Sequence, residues 1–226
     1  MFTNVIAAID GTRASFEAGR QAARLTAPDG RLMLLAVADP YMAMANQWGP
    51  GMLVRPWDVL RDLAEDEGAD LIALGAHGGR RLAGIALGST ATELLHEAPC
   101  SVLVARPVFA PAAFPSSLVV GIDGSAHAMA ALDVAKALVG EGGGRGTAVA
   151  ARGCDMAQDA LARLAAPLAA EVRTERAVDA LVEVAATADL LVVGARGVTG
   201  IASLGSVSER VAHRAESSVL VVRRGG

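Results

Sequence analysis

The two halves of the chain repeat the same three blocks of sequence in the same order. The first block is an apolar run that ends in Asp-Gly and a hydroxyl residue, the second is an apolar run that leads into a glycine-rich stretch, and the third is a closing apolar run. The blocks lie at residues 5–12, 70–90 and 101–105, and again at 119–125, 189–207 and 218–222. Ordered repetition of this kind indicates a duplicated domain.

The length of 226 residues suits two small domains. We place the first domain at residues 1–106, a proline-containing linker at 107–117, and the second domain at 118–226. Because strand-like and helix-like segments alternate, each half is predicted to form a parallel sheet with helices on both faces. The predicted strands are 5–9, 31–37, 70–74, 101–105, 118–122, 147–151, 171–176, 190–193 and 219–222. The predicted helices are 12–26, 57–68, 89–97, 125–139, 156–166, 178–187 and 206–215.

The middle of the first half departs from the repeat. Residues 38–51 include Tyr41, Met42, Met44 and Trp48 but show no helical period, whereas the second half has a helix here. Residues 52–55 are long enough only for a short edge strand. The first half is therefore predicted to be shortened, with one sheet edge open. Three interpretations remain for 38–51: it covers that edge, it contacts a second copy, or it forms a flexible lid.

Each glycine-rich stretch stands between a buried strand and a helix start. Glycines such as Gly75 and Gly78 let a backbone approach a ligand closely, and the N-terminus of a helix attracts anions. Ser89 and Thr90 add hydroxyl donors at the same place. A phosphate site is one interpretation. The other is structural, with a tight turn at the glycines and Ser89 as the N-cap of the helix.

A carboxylate is expected opposite this stretch. Ligands of open parallel sheets bind beyond the carboxyl ends of the strands, where the strand order reverses. Asp10 leaves one strand there and Gly75 leaves another, so the two should meet. The Asp10 carboxylate can accept hydrogen bonds from ribose hydroxyls or an adenine amino group, or help to hold Mg²⁺. Alternatively, Asp10 and Asp123 only shape Asp-Gly turns before helices.

With these motifs the chain resembles a tandem universal stress protein along nearly all of its length. The resemblance rests on Ile-Asp-Gly-Thr at 9–12, Ile-Asp-Gly-Ser at 122–125, and the Ala-Asp-Leu runs before the glycine stretches. It implies two open parallel sheets of the adenine-nucleotide alpha-hydrolase type, with strand order 3-2-1-4-5 and a truncated first domain. Nucleotide-binding members carry two glycines with two residues between them, then nine residues, then Gly-Ser or Gly-Thr. Gly75, Gly78, Gly88 and Ser89 match this spacing.

The resemblance implies a regulatory protein of the stress response that binds ATP or AMP, with Mg²⁺ as a possible companion ion. The implied site residues of the first half are Ile9, Asp10, Val37, Gly75, Gly78, Gly88, Ser89 and Thr90. Those of the second half are Asp123, Gly194, Gly197, Gly205, Ser206 and Val207. Only seven residues separate Gly197 from Gly205, so the second site is expected to bind differently or weakly.

The family also pairs the last strands of two domains about a two-fold axis. This implies an internal pseudo-dimer with Leu103 and Leu220 at its seam, and a homodimer as a further possibility. Two other functions stay open: an interaction module with vestigial nucleotide sites, and a slow ATPase or phosphotransfer protein. No Ser-His-Asp order or nucleophile elbow is present, so catalysis beyond a slow ATPase is not expected.

Composition excludes several other classes of function. A net charge of −4 provides no broad basic field, so nucleic acid is not an expected partner. Charged residues or glycine interrupt every apolar run before it reaches the length of a membrane span. The N-terminus lacks the pattern of a secretory leader, and the two cysteines lack metal-ligand spacing. A reduced, cytoplasmic protein without a metal site is therefore expected.

Overall fold

The computed structural model describes residues 1–36, 55–76, 87–108, 113–152, 154, 158–195 and 206–223. These residues form a nine-stranded sheet and seven helices. The strands are β1 (Phe2–Ile9), β2 (Thr26–Ala36), β3 (Leu71–Gly75), β4 (Ser101–Ala105), β5 (Ser117–Ile122), β6 (Arg145–Arg152), β7 (Ala169–Arg176), β8 (Leu190–Gly194) and β9 (Ser218–Val222). The helices are α1 (Arg13–Leu25), α2 (Pro56–Asp66), α3 (Ser89–Glu97), α4 (Ala126–Gly142), α5 (Gln158–Ala165), α6 (Ala177–Ala185) and α7 (Ser206–Arg214).

The strand order is β2-β1-β3-β4-β9-β8-β5-β6-β7. All neighbouring strands run parallel except β4 and β9, which are antiparallel. The second half shows the predicted order 3-2-1-4-5 from β7 to β9. The first half shows the same order from β2 to β4, and its described residues contain no counterpart of β7. The predicted fold class is confirmed.

The sheet separates two layers of core. Alternate residues of each strand face opposite layers: Ile6 belongs to one apolar cluster, and Val5 and Ala7 belong to the other. Helices α1, α4 and α5 cover one face, while α2, α3, α6 and α7 cover the other. Because both faces are covered, the central strands β3, β4, β8 and β9 are apolar without alternation. Within the described part of the chain, no helix is both long and apolar enough to cross a membrane.

The aspartates of the Ala-Asp-Leu runs hold the amino ends of the strands together. The Asp70 carboxylate accepts hydrogen bonds from the Thr3 N–H at 2.6 Å and from the Asn4 N–H at 3.0 Å. In the second half, Asp189 accepts from the Ser116 N–H at 2.9 Å. Each aspartate thus joins the start of its own strand to the start of the neighbouring strand. These contacts lie at the end of the sheet opposite Asp10, so they are structural.

One sequence prediction about a connection is wrong. Residues 27–30 were expected as the turn that closes α1, but they belong to β2, whose pairing with β1 shifts register between Phe2 and Asn4. The extra residues are taken up there as an irregularity, since Pro28 has no N–H to donate to the ladder. Within the predicted linker, Phe114 packs in the core at 4% exposure. The predictions for Val37, for residues 38–51 and for an edge strand at 52–55 fall on residues outside the described ranges, except that Arg55 precedes α2.

Candidate functional site

A cleft of about 260 Å³ opens in the first half at the carboxyl ends of β1, β2 and β3. β1 and β3 are neighbours in the sheet, and the chain leaves β1 toward β2 on one side before it returns to β3 on the other. The cleft therefore lies where the strand order reverses. Its lining residues are Ala8, Ile9, Asp10, Ser15, Leu35, Pro56, Leu60, Leu74, Gly75, Gly88, Ser89, Thr90 and Ala91. We call this the first-half cleft.

Most of the residues predicted for the first site meet in this cleft. They are Ile9, Asp10, Gly75, Gly88, Ser89 and Thr90. Val37 and Gly78 lie outside the described residues. Seven other lining residues were not predicted: Ala8, Ser15, Leu35, Pro56, Leu60, Leu74 and Ala91. Leu35 carried a usable signal, because residues two apart in the predicted strand 31–37 share a face and Val37 was a predicted site residue.

Asp10 is held in an ionised state by the turn that follows β1. Its Oδ1 accepts hydrogen bonds from the Thr12 N–H at 2.9 Å and from the Thr12 hydroxyl at 2.6 Å. Burial alone would raise the pKa of Asp10, but the hydrogen bonds from Thr12 and Ser15 outweigh it and hold the pKa below its ordinary value. Gly11, with φ of +81°, allows the chain to turn here. Asp10 therefore presents a negative charge at the mouth of the cleft.

Close packing requires a glycine at the end of β3, whether or not a ligand binds there. A Cβ atom on Gly75 would lie 2.8 Å from the backbone carbon and the Cβ atom of Ala14, in the first turn of α1. The same holds for Gly194, where a Cβ atom would lie 2.6 Å from the backbone carbon of His127. These glycines let a helix start pack directly against a strand end. Gly75 also lines the cleft, so its two roles coincide.

The N-terminus of α3 faces the cleft without a side-chain cap. The N-cap is Gly88, so the prediction that Ser89 is the N-cap is wrong; Ser89 is the first helical residue. Gly88 donates its N–H to the carbonyl of Ala76 at 2.8 Å, which fixes the helix start beside the end of β3. The next backbone N–H groups have no partner within the helix. Such a helix end, with Thr90 beside it, can accept an anion.

The second half repeats the turn but not every group around it. Asp123 Oδ1 accepts from the Ser125 N–H at 2.9 Å, as Asp10 does from Thr12. Ala128 stands where the first half has Ser15, so that hydroxyl is absent. Val207 is half-buried against the core. Ser206 is the first residue of α7, while Gly197 and Gly205 lie outside the described residues.

The other reactive side chains of the described residues do not form a metal site. No group of three or more His, Cys, Asp or Glu residues lies together at metal-binding distances within the described ranges. Both cysteines are free, and Cys100 is buried. Burial is the main reason that the pKa of Cys100 rises to about 12, so its thiol is not ionised at neutral pH.

Comparisons with known proteins place this geometry in a family. The family model described as the universal stress protein family matches residues 51–106 and 147–223, together more than half of the chain. Asp10 lies outside the matched segments. The chain has no significant match among curated proteins.

Solved structures share the fold over the full length. A universal stress protein from Archaeoglobus fulgidus DSM 4304 is similar with a TM-score of 0.73 and 18% identity, over 98% of this chain and 98% of that one. A protein from Pseudomonas aeruginosa UCBPP-PA14, assigned to the same family, has a TM-score of 0.73 and 16% identity over 99% and 94%. A universal stress protein in complex with cAMP is 30% identical over 48% of this chain and 97% of that one, with a TM-score of 0.39.

Proposed function

Because the chain belongs to the universal stress protein family, we propose that it is a regulatory protein that binds ATP or AMP in the first-half cleft. One observation carries the proposal: the ionised Asp10 and the N-terminus of α3, whose N-cap Gly88 makes no side-chain cap, border the same cleft. A ligand that has both hydroxyl donors and an anionic group suits this pair. A nucleotide has both.

The apolar lining supports an adenine ring as the third part of the ligand. Ile9, Leu35 and Leu60 contribute apolar surface to the cleft. Its volume of about 260 Å³ is near the lower end of ligand pockets, which run from about 300 to 1,000 Å³. In this arrangement the ring packs on the apolar residues, the ribose hydroxyls donate to Asp10, and the phosphates accept from the N–H groups of α3.

The remaining parts of the proposal concern the whole protein. We propose two domains with the boundaries given above, a cytoplasmic location, and a role in which nucleotide occupancy alters conformation or assembly, including a homodimer. The second half binds nucleotide weakly, since Ser15 has no hydroxyl counterpart and the glycine stretch is shorter. Mg²⁺ would enter with ATP through the phosphates, and turnover would not exceed that of a slow ATPase.

A second candidate function is an interaction module with vestigial sites. Phe16 and Leu34 favour it, because they are 52% and 62% exposed. Phe16 belongs to α1 and Leu34 to β2, the outermost described strand of the first half. Large exposed apolar side chains of this kind mark contact surfaces when they form a patch.

Calorimetric titration of the full chain with ATP, AMP and cAMP separates the two functions. Gly88→Val should abolish tight binding, because Gly88 has φ of −74° and ψ of 157°, which valine adopts without strain while its side chain crowds the helix N-terminus. Gly205→Val is the matched control and should keep tight binding.

Asp10→Ala should weaken nucleotide binding by about tenfold, the effect of one lost charged hydrogen bond. No binding at millimolar nucleotide would overturn the proposal and favour the interaction module.

A further inference from the structure

The two halves of the sheet meet where β4 pairs antiparallel with β9, with Leu103 opposite Leu220. We call this pairing the seam. Each of the two strands is followed directly by an arginine, Arg106 after β4 and Arg223 after β9. Both arginines reach across the seam to the other half of the chain.

Arg106 belongs to the first half and is bound to the second. Its backbone N–H donates to the Ser218 hydroxyl at 2.9 Å, and its Nη2 donates to the carbonyl of Ala212 at 2.6 Å. Its Nη1 donates to the carbonyl of Ser217 at 3.3 Å. Arg106 is 8% exposed. The charge is therefore held by the carbonyl groups at the end of α7.

Arg223 repeats two of these contacts in the opposite direction. Its backbone N–H donates to the Ser101 hydroxyl at 3.2 Å, and its Nη2 donates to the carbonyls of Leu95 at 2.6 Å and His96 at 3.0 Å. Leu95 is the seventh residue of α3, as Ala212 is the seventh residue of α7. Ser101 and Ser218 are both first residues of their strands. These two contacts are thus equivalent about the seam, while the third differs, with the carbonyl of Ser217 for Arg106 and that of His96 for Arg223.

These contacts supply hydrogen-bond donors to the C-terminal carbonyl groups of α3 and α7. The last carbonyl groups of a helix have no partner within the helix, and a cation beside them is stabilised by the helix dipole. Each arginine supplies donors and charge to the C-terminus of a helix whose N-terminus begins at the predicted phosphate residues, Ser89 in α3 and Ser206 in α7. Nε2 of His96 in α3 lies 3.6 Å from Oε1 of Glu209 in α7, which is a direct contact between the two helices.

We propose that Arg223 is a positioning residue for the first-half cleft and Arg106 is the equivalent positioning residue for the second half, so that each half's nucleotide-binding helix is held by the other half. The proposal rests on the proposed function. Its physical content is that α3 is anchored at its C-terminal end by Arg223. The first turn of α3 then presents its N–H groups to the cleft at a fixed place, and nucleotide does not have to order the helix when it binds.

The test compares Arg223→Met with Arg106→Met in the full chain, by two readouts. The first is hydrogen exchange of the peptides that contain α3 and α7, which needs no nucleotide. Arg223→Met should speed exchange in the last turn of α3, and Arg106→Met should do so in α7. The second readout is the affinity for ATP. Arg223→Met should weaken it by about fivefold, the lower range of coupling between sites, while Arg106→Met should change it by less than about twofold.

Conservative variants guard against a loss of fold. Arg223→Lys and Arg106→Lys keep the charge and should restore part of the wild-type exchange and affinity. Equal effects of both methionine variants on both helices would indicate a shared role in stability and overturn the proposal. So would an unchanged exchange rate of α3 in Arg223→Met. If each methionine variant speeds exchange only in the helix of the other half but the wild type binds no nucleotide, the proposed function fails and the positioning role fails with it. If the wild type binds nucleotide but the variants do not act on the helix of the other half, the positioning role alone is overturned.

Discussion

At the scale of single residues, the two halves share the hydrogen bond that forms the Asp-Gly turn, but only the first half has the Ser15 hydroxyl beside it. Asp10 with Thr12 and Asp123 with Ser125 make the same backbone hydrogen bond at 2.9 Å, so the sequence predicted both turns correctly. Ser15 was not predicted. Its hydroxyl accepts from the Asp10 N–H at 3.2 Å, a contact between residues that no local motif connects.

The state of Asp10 can be tested by removing the Thr12 hydroxyl. The pKa of Asp10 is lower than its ordinary 3.8, so its stabilising contribution is complete above that value and is lost as the pH falls through the lower pKa of the folded state. Thr12→Ala should raise the pKa of Asp10 toward 3.8. The carboxyl carbon shift in an NMR titration measures this. An unchanged pKa would show that Thr12 does not set it.

A second residue-scale prediction concerns Gly75. Gly75→Ala places a Cβ atom 2.8 Å from Ala14, and overpacking of this kind costs about 1–3 kcal/mol of unfolding free energy. Gly140→Ala is the control, since nothing lies within 4 Å of its Cβ position in α4; it should stabilise the protein by about 0.4–1 kcal/mol. Urea unfolding measures both. If Gly75→Ala is neutral, α1 does not pack as closely on β3 as described.

At the scale of elements, the equivalent strands β2 and β6 of the two halves are covered differently, because β6 has β7 as its outer neighbour and β2 is the outermost described strand. Ala148 of β6 is fully buried in the same apolar cluster as Leu161 and Ala165 of α5. Leu34 of β2 is 62% exposed. The sequence predicted a helix at 156–166, and α5 is observed at Gln158–Ala165. The predicted role of 38–51 as a cover, an oligomer contact or a lid stays a prediction.

Paired truncations measure this difference in cover. Leu161→Ala should cost about 2–5 kcal/mol of unfolding free energy, as for other fully buried leucines. Leu34→Ala should change it by no more than about 0.5 kcal/mol, because an exposed side chain loses little on truncation. The two variants are compared by urea unfolding. A large cost for Leu34→Ala would contradict its exposure and favour the interpretation that residues 38–51 cover this edge.

At the scale of the whole molecule, the fold was predictable because the duplication and the apolar strand segments are both visible as local patterns in the sequence. The bounds of α3 and β4 were predicted to the residue. The start of β2 was not, because Pro28 and Gly30 are typical turn residues but lie here in an irregular strand pairing. The arginine contacts across the seam were also beyond prediction. They join residues more than 100 positions apart, and a single sequence carries no local sign of them.

The measurement that tests the central claim most directly is a crystal structure of the full chain grown with ATP and Mg²⁺. We predict one well-ordered nucleotide in the first-half cleft. Its adenine should lie against Leu35 and Leu60, its ribose within hydrogen-bonding distance of Asp10, and its phosphates at the first turn of α3. A nucleotide bound elsewhere, or an empty cleft at millimolar ATP, would contradict the assignment of this cleft as the nucleotide site.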